Sequence, residues 1–381
     1  MPMITLPVAD GSLEPFELPA TTPIQPAGNA RNRVAYAAAH VVGRPGHPAE
    51  IDWDATLQFR EHLWDCHLGV AEAMDTAQRG AGLLWPQARE LIRRTLQASR
   101  TRTDGLVACG CGTDQLEPSA GVTLDDVIRA YEEQMSWVEA HNGQVILMAS
   151  RALCAAARTP NDYVTIYDRL LRQVQRPVII HWLGPTFDAA LEGYWGHDDV
   201  DDAMDVVLSL LSSHATRIDG IKISLLDKSK EVAMRRRLPS GVRMYTGDDF
   251  DFVELIGGDD SGYSDALLGI FDAIAPAAGA ALHELALGRR ERFDAVLVPC
   301  IPLSRHIFSA PTQFYKTGVV FMSWLNGHHD HFAMLDGQEA KRSLPHLAEV
   351  FRLAAAARLL RDPELAADRM RSLCQLQGIN T

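Results

Sequence analysis

Lys222 stands alone in the apolar run Ile218-Asp219-Gly220-Ile221-Lys222-Ile223-Ser224. On the inner face of a buried strand a lysine has its charged form disfavoured by desolvation. That lowers its pKa and leaves a neutral amine able to attack a carbonyl carbon, the first step of Schiff-base chemistry. The structural alternative is a strand-end lysine that snorkels its ammonium into water. A second set, His40, Glu72, Asp75, His181 and Asp272, has the side-chain types that hold a divalent metal, with Lys222 as an acid–base partner. A third feature, Asn326-Gly327-His328-His329-Asp330-His331-Phe332, packs three imidazoles and a carboxylate into four residues. Contiguous residues seldom share one tetrahedral site, and the His-x-x-x-His spacing is missing, so a polar turn between helices competes with a metal site there.

These residues need elements to position them. Short apolar runs alternate with longer amphipathic stretches, the pattern of βα units around a parallel sheet. Eight runs can be counted: residues 34–39 ending at His40, 69–74 ending at Asp75-Thr76, 105–110, 144–149, 177–180 ending at His181-Trp182, the Lys222 run, 241–246, and 266–271 ending at Asp272. Helices are expected over residues 53–68 and 86–99, after a Thr123 cap, and from Asn161 or Asp162. Eight such units predict an α/β (β/α)8 TIM barrel, whose chemistry lies at the carboxyl ends of the strands. His40, Asp75, Thr76, Ser150, Arg151, His181, Lys222, Asp248, Asp249 and Asp272 are then expected at one mouth. A doubly wound open sheet competes, but no Gly-rich phosphate fingerprint follows the first run. Residues 1–31, rich in proline and alanine, are expected as an N-terminal arm on the surface. The barrel is expected over 32–300, and 301–381 as a C-terminal helical extension with long helices over 302–324 and 345–360.

Composition narrows the function class. With 381 residues, 47% hydrophobic and 22% charged, the chain can bury an enzyme-sized core. The 36 basic against 49 acidic side chains give −13, which argues against nucleic acid or an anionic membrane and for a small-molecule substrate. Six cysteines form no CxxC pair, and there is no basic-then-apolar leader, so a cytoplasmic location is expected. Cys109 and Cys111 would share one side of a strand, either lining a pocket or simply buried. The Arg235-Arg236-Arg237 run reads as a solvated helix face or a phosphate contact. Trp182, Trp195 and Trp324 are pocket walls or packing.

The ordered motifs between about residues 33 and 290 resemble the dihydrodipicolinate synthase and N-acetylneuraminate lyase superfamily of class I aldolases. The Lys222 run is similar to its sixth-strand lysine motif. Met244-Tyr245-Thr246-Gly247-Asp248-Asp249 with Ile274-Ala275-Pro276 is similar to its seventh-strand Gly-Asp-Asp and closing Ala-Pro segments, and residues 106–113 to its third-strand Gly-x-Gly segment. The resemblance implies a Schiff base on Lys222, and a proton shuttle by His181 where the family usually has a fifth-strand tyrosine. It also implies a homodimer or homotetramer. Two departures bear on the substrate. The family's second-strand Gly-Thr-Thr-Gly-Glu motif, which holds a keto-acid carboxylate, is here Met74-Asp75-Thr76-Ala77-Gln78-Arg79-Gly80, with one hydroxyl and an added charge. The arginine that follows the fifth strand in dicarboxylate users is replaced by Leu183-Gly184-Pro185-Thr186-Phe187.

The expectation is a class I aldolase, lyase or dehydratase of carbohydrate metabolism acting on a hydroxyl-rich keto compound, a keto sugar or sugar-acid derivative. Retro-aldol cleavage and loss of water both stay open. Lys222, His181 and Thr76 are the candidate catalytic residues, and Asp75, Arg79, Arg151, Gly247, Asp249 and Asp272 the substrate-binding ones. No cofactor is needed beyond the lysine itself. The alternatives are a divalent-metal isomerase or aldolase on the same barrel, and a sugar-binding barrel without catalysis.

Overall fold

The computed structural model describes residues 3–119 and 121–379. Eight strands close a parallel barrel in chain order: β1 (Ala35–Ala38), β2 (Gly69–Glu72), β3 (Val107–Cys111), β4 (Gln144–Met148), β5 (Val178–Leu183), β6 (Ile218–Ser224), β7 (Arg243–Thr246) and β8 (Asp265–Leu268). Helices intervene, among them Trp85–Ser99, Leu124–Ala140, Pro160–Gln173 and Val200–Ser213. The expected TIM barrel is therefore present, with all eight expected strands. The strands are apolar on both faces because one side lines the barrel interior and the other meets helices.

Local chemistry explains the helix starts. Thr123 accepts the Asp126 N–H, and Asp126 accepts the Thr123 N–H, which closes a capping box. After β4 the helix starts at Pro160 rather than at the expected Asn161 or Asp162. There Asp162 is the third helical residue, and its carboxylate takes the Thr159 N–H.

The barrel interior follows from strand alternation. Tyr36, Ala38, Ala71, Ala108, Ile146, Ile179, Tyr245 and Leu267 form its buried core. Tyr245 needs room on the neighbouring strand, where a Cβ at Gly220 would stand 2.6 Å from its ring. Because Ala108 points inward, Cys109 and Cys111 point to the helix side of β3, where the Cys109 sulfur lies beside Gly143. Of the two readings of these thiols, plain burial holds.

The chain divides into two compact units, one of Arg33–Ala39 and Gly69–Leu268, which holds all eight strands, and one of Met1–Asn32, His40–Leu68 and Gly269–Thr381. In the latter, the segment expected as a surface arm contains an antiparallel pair, Met3–Pro7 with Leu13–Glu17. Ile4 and Leu6 are buried, and Gly11 turns the chain with φ +86°. A second hairpin pairs Gly43–Arg44 with His47–Ile51. The helix expected over 302–324 is two, Ile301–Ile307 and Tyr315–Leu325, because Pro311 lies between them and cannot continue a helical ladder. The next runs over Leu344–Ala356, shorter than expected, and Pro363–Leu376 follows an Asp362 cap. No helix among the described residues is long and apolar enough to cross a membrane.

Replacing Gly220 by alanine should drive a methyl group into the Tyr245 ring and cost about 1–3 kcal/mol of stability. Urea denaturation measures it; an unchanged midpoint would show that the ring at Gly220 is not tightly packed.

Candidate active site

On β6, Gly220, Lys222 and Ser224 share the face that looks into the barrel, since Gly220 abuts the core ring of Tyr245. Lys222 pairs in register with His181 of β5 on one side and Tyr245 of β7 on the other. Ile179 lies in the interior core, so His181, two residues on, points the same way. Lys222 is 5% exposed and His181 2%. The snorkelling alternative does not hold, because the whole lysine side chain is enclosed. Directly past β7, a Cβ at Gly247 would meet the Ser224 hydroxyl at 2.3 Å and the Lys222 Cε at 2.7 Å. Gly247 thus clears the volume that the lysine stem occupies; the expectation placed it in substrate binding.

Burial pulls the Lys222 pKa below the ordinary lysine value, and the carboxylates of Asp75 and Asp249 act in the opposite sense. The His181 pKa is held well below its usual range, first by burial and then by the charge of Lys222, with Asp75 opposing. The imidazole is therefore neutral at physiological pH and able to accept a proton. Its Nε2 lies 3.2 Å from the Ser224 hydroxyl. An amine with a depressed pKa, a neutral imidazole on the adjacent strand and a hydroxyl between strand ends can together form a carbinolamine, expel water and relay protons.

The other candidates divide. Thr76 and Asp75 sit in the short turn Asp75–Ala77 after β2, and Thr76 is buried. Arg79 is not open to substrate. It is buried, donates to the carbonyls of Ala73 and Gly110 and to Gln134, and pairs with Asp114. It ties the ends of β2 and β3 together and so positions Asp75. Arg151 is exposed and paired with Asp188 at 2.5 Å, an ion pair that corrects its placement among substrate ligands. Asp248 caps its own loop by accepting the N–H groups of Phe250 and Asp251. The triple arginine is matched to carboxylates, Arg235 and Arg236 to Asp259 and Arg237 to Asp205, which leaves phosphate recognition without support. Trp182 points away from His181 and packs edge-on against Trp195.

Asp272 and His40 belong to the other unit. There the Asp272 carboxylate accepts the His40 N–H at 2.8 Å and pairs with its Nδ1 at 2.8 Å. The donors named for a metal are engaged in other contacts. Glu72 accepts the Thr95 hydroxyl at 2.6 Å and the Ala73 N–H, His40 is held by Asp272, and His181 faces Ser224. Among the described residues no three His, Cys, Asp or Glu side chains are grouped to hold a metal ion. In the histidine-rich segment the His329 Nδ1 meets the His331 carbonyl, His331 reaches the Gly43 carbonyl, and His328 packs at a tilt against His62. It is a polar turn.

Two contributions were missed in the sequence. Ser224 was visible at the end of the lysine run, and its spacing of two from Lys222 would have put it on the same face. A buried hydroxyl chain, Tyr167 to Tyr194 to the Ser150 N–H, with Ser150 and Thr113 at 2.6 Å, braces the end of β4. Its members are scattered over 80 residues and carry no local signal.

Replacing Asp249 by asparagine removes a charge that raises the Lys222 pKa, so the amine should titrate at still lower pH. Competitive acetylation as a function of pH reads this directly. An upward shift, or none, would mean that Asp249 does not act on the amine. Because folding lowers this pKa, the unfolded chain binds more protons between the two values, and the contribution of Lys222 to stability rises with pH across that window.

Among solved structures, the chain is similar to the 4-hydroxy-tetrahydrodipicolinate synthase from the thermoacidophilic methanotroph Methylacidiphilum fumariolicum SolV. The two are 15% identical with a TM-score of 0.65, over 89% of this chain and 99% of that one. It is also similar to the dihydrodipicolinate synthases from Thermotoga maritima (14%, TM-score 0.63, 86% and 99%) and Oceanobacillus iheyensis (15%, TM-score 0.61, 84% and 96%). These likenesses bear out the expected barrel fold. No curated protein matches the chain. The family described as "Protein of unknown function (DUF993)" matches residues 4–379, and the chain belongs to that family.

Proposed function

We propose that this protein is a class I lyase, an aldolase or dehydratase that forms a Schiff base between Lys222 and the ketone of a hydroxyl-rich substrate. The observation that carries the reading is the register pair of Lys222 and His181, an enclosed amine of lowered pKa beside a neutral imidazole. The Lys222 Nζ adds to the ketone carbon, and the carbinolamine loses water to give an iminium. The iminium withdraws electrons from the adjacent carbon. A base then removes either the proton of a β-hydroxyl, which breaks the Cα–Cβ bond, or the proton at Cα, which readies the β-hydroxyl to leave. His181 is suited to be that base, and Ser224 to pass the proton on. After C–C cleavage the resulting enamine takes the proton back at Cα, and hydrolysis of the imine then returns the lysine.

The substrate class rests on charge. Asp75 and Asp249 act on the amine, and each carboxylate accepts hydrogen bonds from diols while repelling a second carboxylate. Arg79 and Arg151, the cations that a keto acid could have used, are already committed to Asp114 and Asp188. A keto sugar or keto-polyol therefore fits better than pyruvate. A homo-oligomer in the cytoplasm would be in keeping with such an enzyme.

Oxygen exchange tests the covalent step without knowledge of the product. In water enriched in oxygen-18, the ketone oxygen of the true substrate should exchange faster with enzyme than without, and Lys222→Ala should abolish the excess. Excess exchange that survives this substitution would sink the Schiff-base reading. His181→Phe should slow turnover by about 10²-fold or more and remove one limb of the pH–rate profile; an unchanged profile would take the base role from His181. Asp75→Asn should improve turnover of keto acids relative to keto-polyols, and a constant ratio would show that its charge does not select the substrate.

A further inference from the structure

The unit that holds Asp272 contains a cavity of about 220 Å³ whose lining comes wholly from its own segments. Its polar wall is rich in hydrogen-bond donors. Ser323 is 3% exposed, and its hydroxyl has no hydrogen-bond partner among the described residues. The side-chain oxygen of Asn326 accepts the Arg361 N–H at 2.8 Å, which leaves the amide NH₂ as a donor. The Arg361 side chain is exposed at the cavity, with its guanidinium close to Gly327. The His62 and His328 rings lie 4.2 Å apart and tilted by 40°; burial, then the charge of Arg361 on His62 and those of His62 and Arg361 on His328, hold the imidazoles below their usual range, to about 4 and about 2. Each is neutral and offers one N–H. The acidic residue on the wall, Asp272, is already satisfied by His40. Phe59, Leu359 and Ile24 supply an apolar side.

A guanidinium, an unpartnered hydroxyl and an amide NH₂ beside an apolar wall, with the one lining carboxylate already bonded to His40, describe the complement of an oxyanion on a small organic body. We propose that this cavity is a binding site for a small organic anion, its carboxylate or phosphate head at Arg361 and Ser323 and its body against Phe59. The Lys222 chemistry plays no part in this inference, and either can fail without the other.

Isothermal titration of the full chain with benzoate, phenyl phosphate and the neutral control benzyl alcohol tests the proposal. At least one of the two anions should bind, and which one does assigns the head as carboxylate or phosphate. Arg361→Gln, a change at an exposed position, should weaken that binding about tenfold or more and leave benzyl alcohol unaffected. Ser323→Ala should weaken it by a smaller factor, and Lys222→Ala should leave it intact. The proposal is overturned if neither anion binds, if Arg361→Gln binds as tightly as the parent, or if Lys222→Ala abolishes binding and so locates the anion at the lysine.

Discussion

An amine enclosed within a closed sheet is the constraint around which this barrel is arranged. Desolvation of a lysine ammonium is costly, and a protein keeps such a group by allowing it to lose its proton or by placing opposite charge nearby. Both devices operate here. Burial lowers the Lys222 pKa, while Asp75 and Asp249 limit the fall, so the amine is kept between an inert ammonium and an irreversibly neutral side chain. The neighbours serve the same end. Gly247 clears space for the stem, Gly220 admits the Tyr245 ring beneath it, and His181 stays neutral in part because Lys222 carries charge. Protonation of either group disfavours protonation of the other, an arrangement suited to passing a proton between them.

Arginine does most of the remote positioning. Arg79 binds two strand-end carbonyls, a glutamine and a carboxylate, and thereby fixes the turn from which Asp75 acts. In the other unit Arg60 donates to the His40 and Thr56 carbonyls, and His40 in turn holds Asp272. In both places a buried guanidinium satisfies backbone oxygens, among them those of Ala73 and His40 just past strand ends.

The barrel was legible because its strands are apolar on both faces, contiguous and evenly spaced, which is a local signal. Lys222 was legible for the converse reason, as the one cation in such a run. The roles of Arg79 and Arg151 were not, because a cation near a candidate site looks the same whether its carboxylate partner is distant in sequence or absent. Asp114 lies 35 residues from Arg79 and Asp188 lies 37 from Arg151. The cysteine phase on β3 stayed open for a smaller reason. Alternation says that Cys109 and Cys111 agree with each other, but only the packing of Ala108 says which way they face. The N-terminal hairpin was hidden by prolines, and the helix expected over 302–324 overlooked the stop that Pro311 imposes.

The central claim is that Lys222 becomes covalently joined to a ketone. Incubating the protein with a panel of keto-polyols, keto sugars and keto acids in borohydride, followed by peptide mass spectrometry, tests it most directly. The account predicts a reduced adduct on the peptide that carries Lys222, with a mass that names the substrate and a preference for hydroxylated ketones. An adduct on another lysine, or none with a compound that the protein demonstrably turns over, would contradict it.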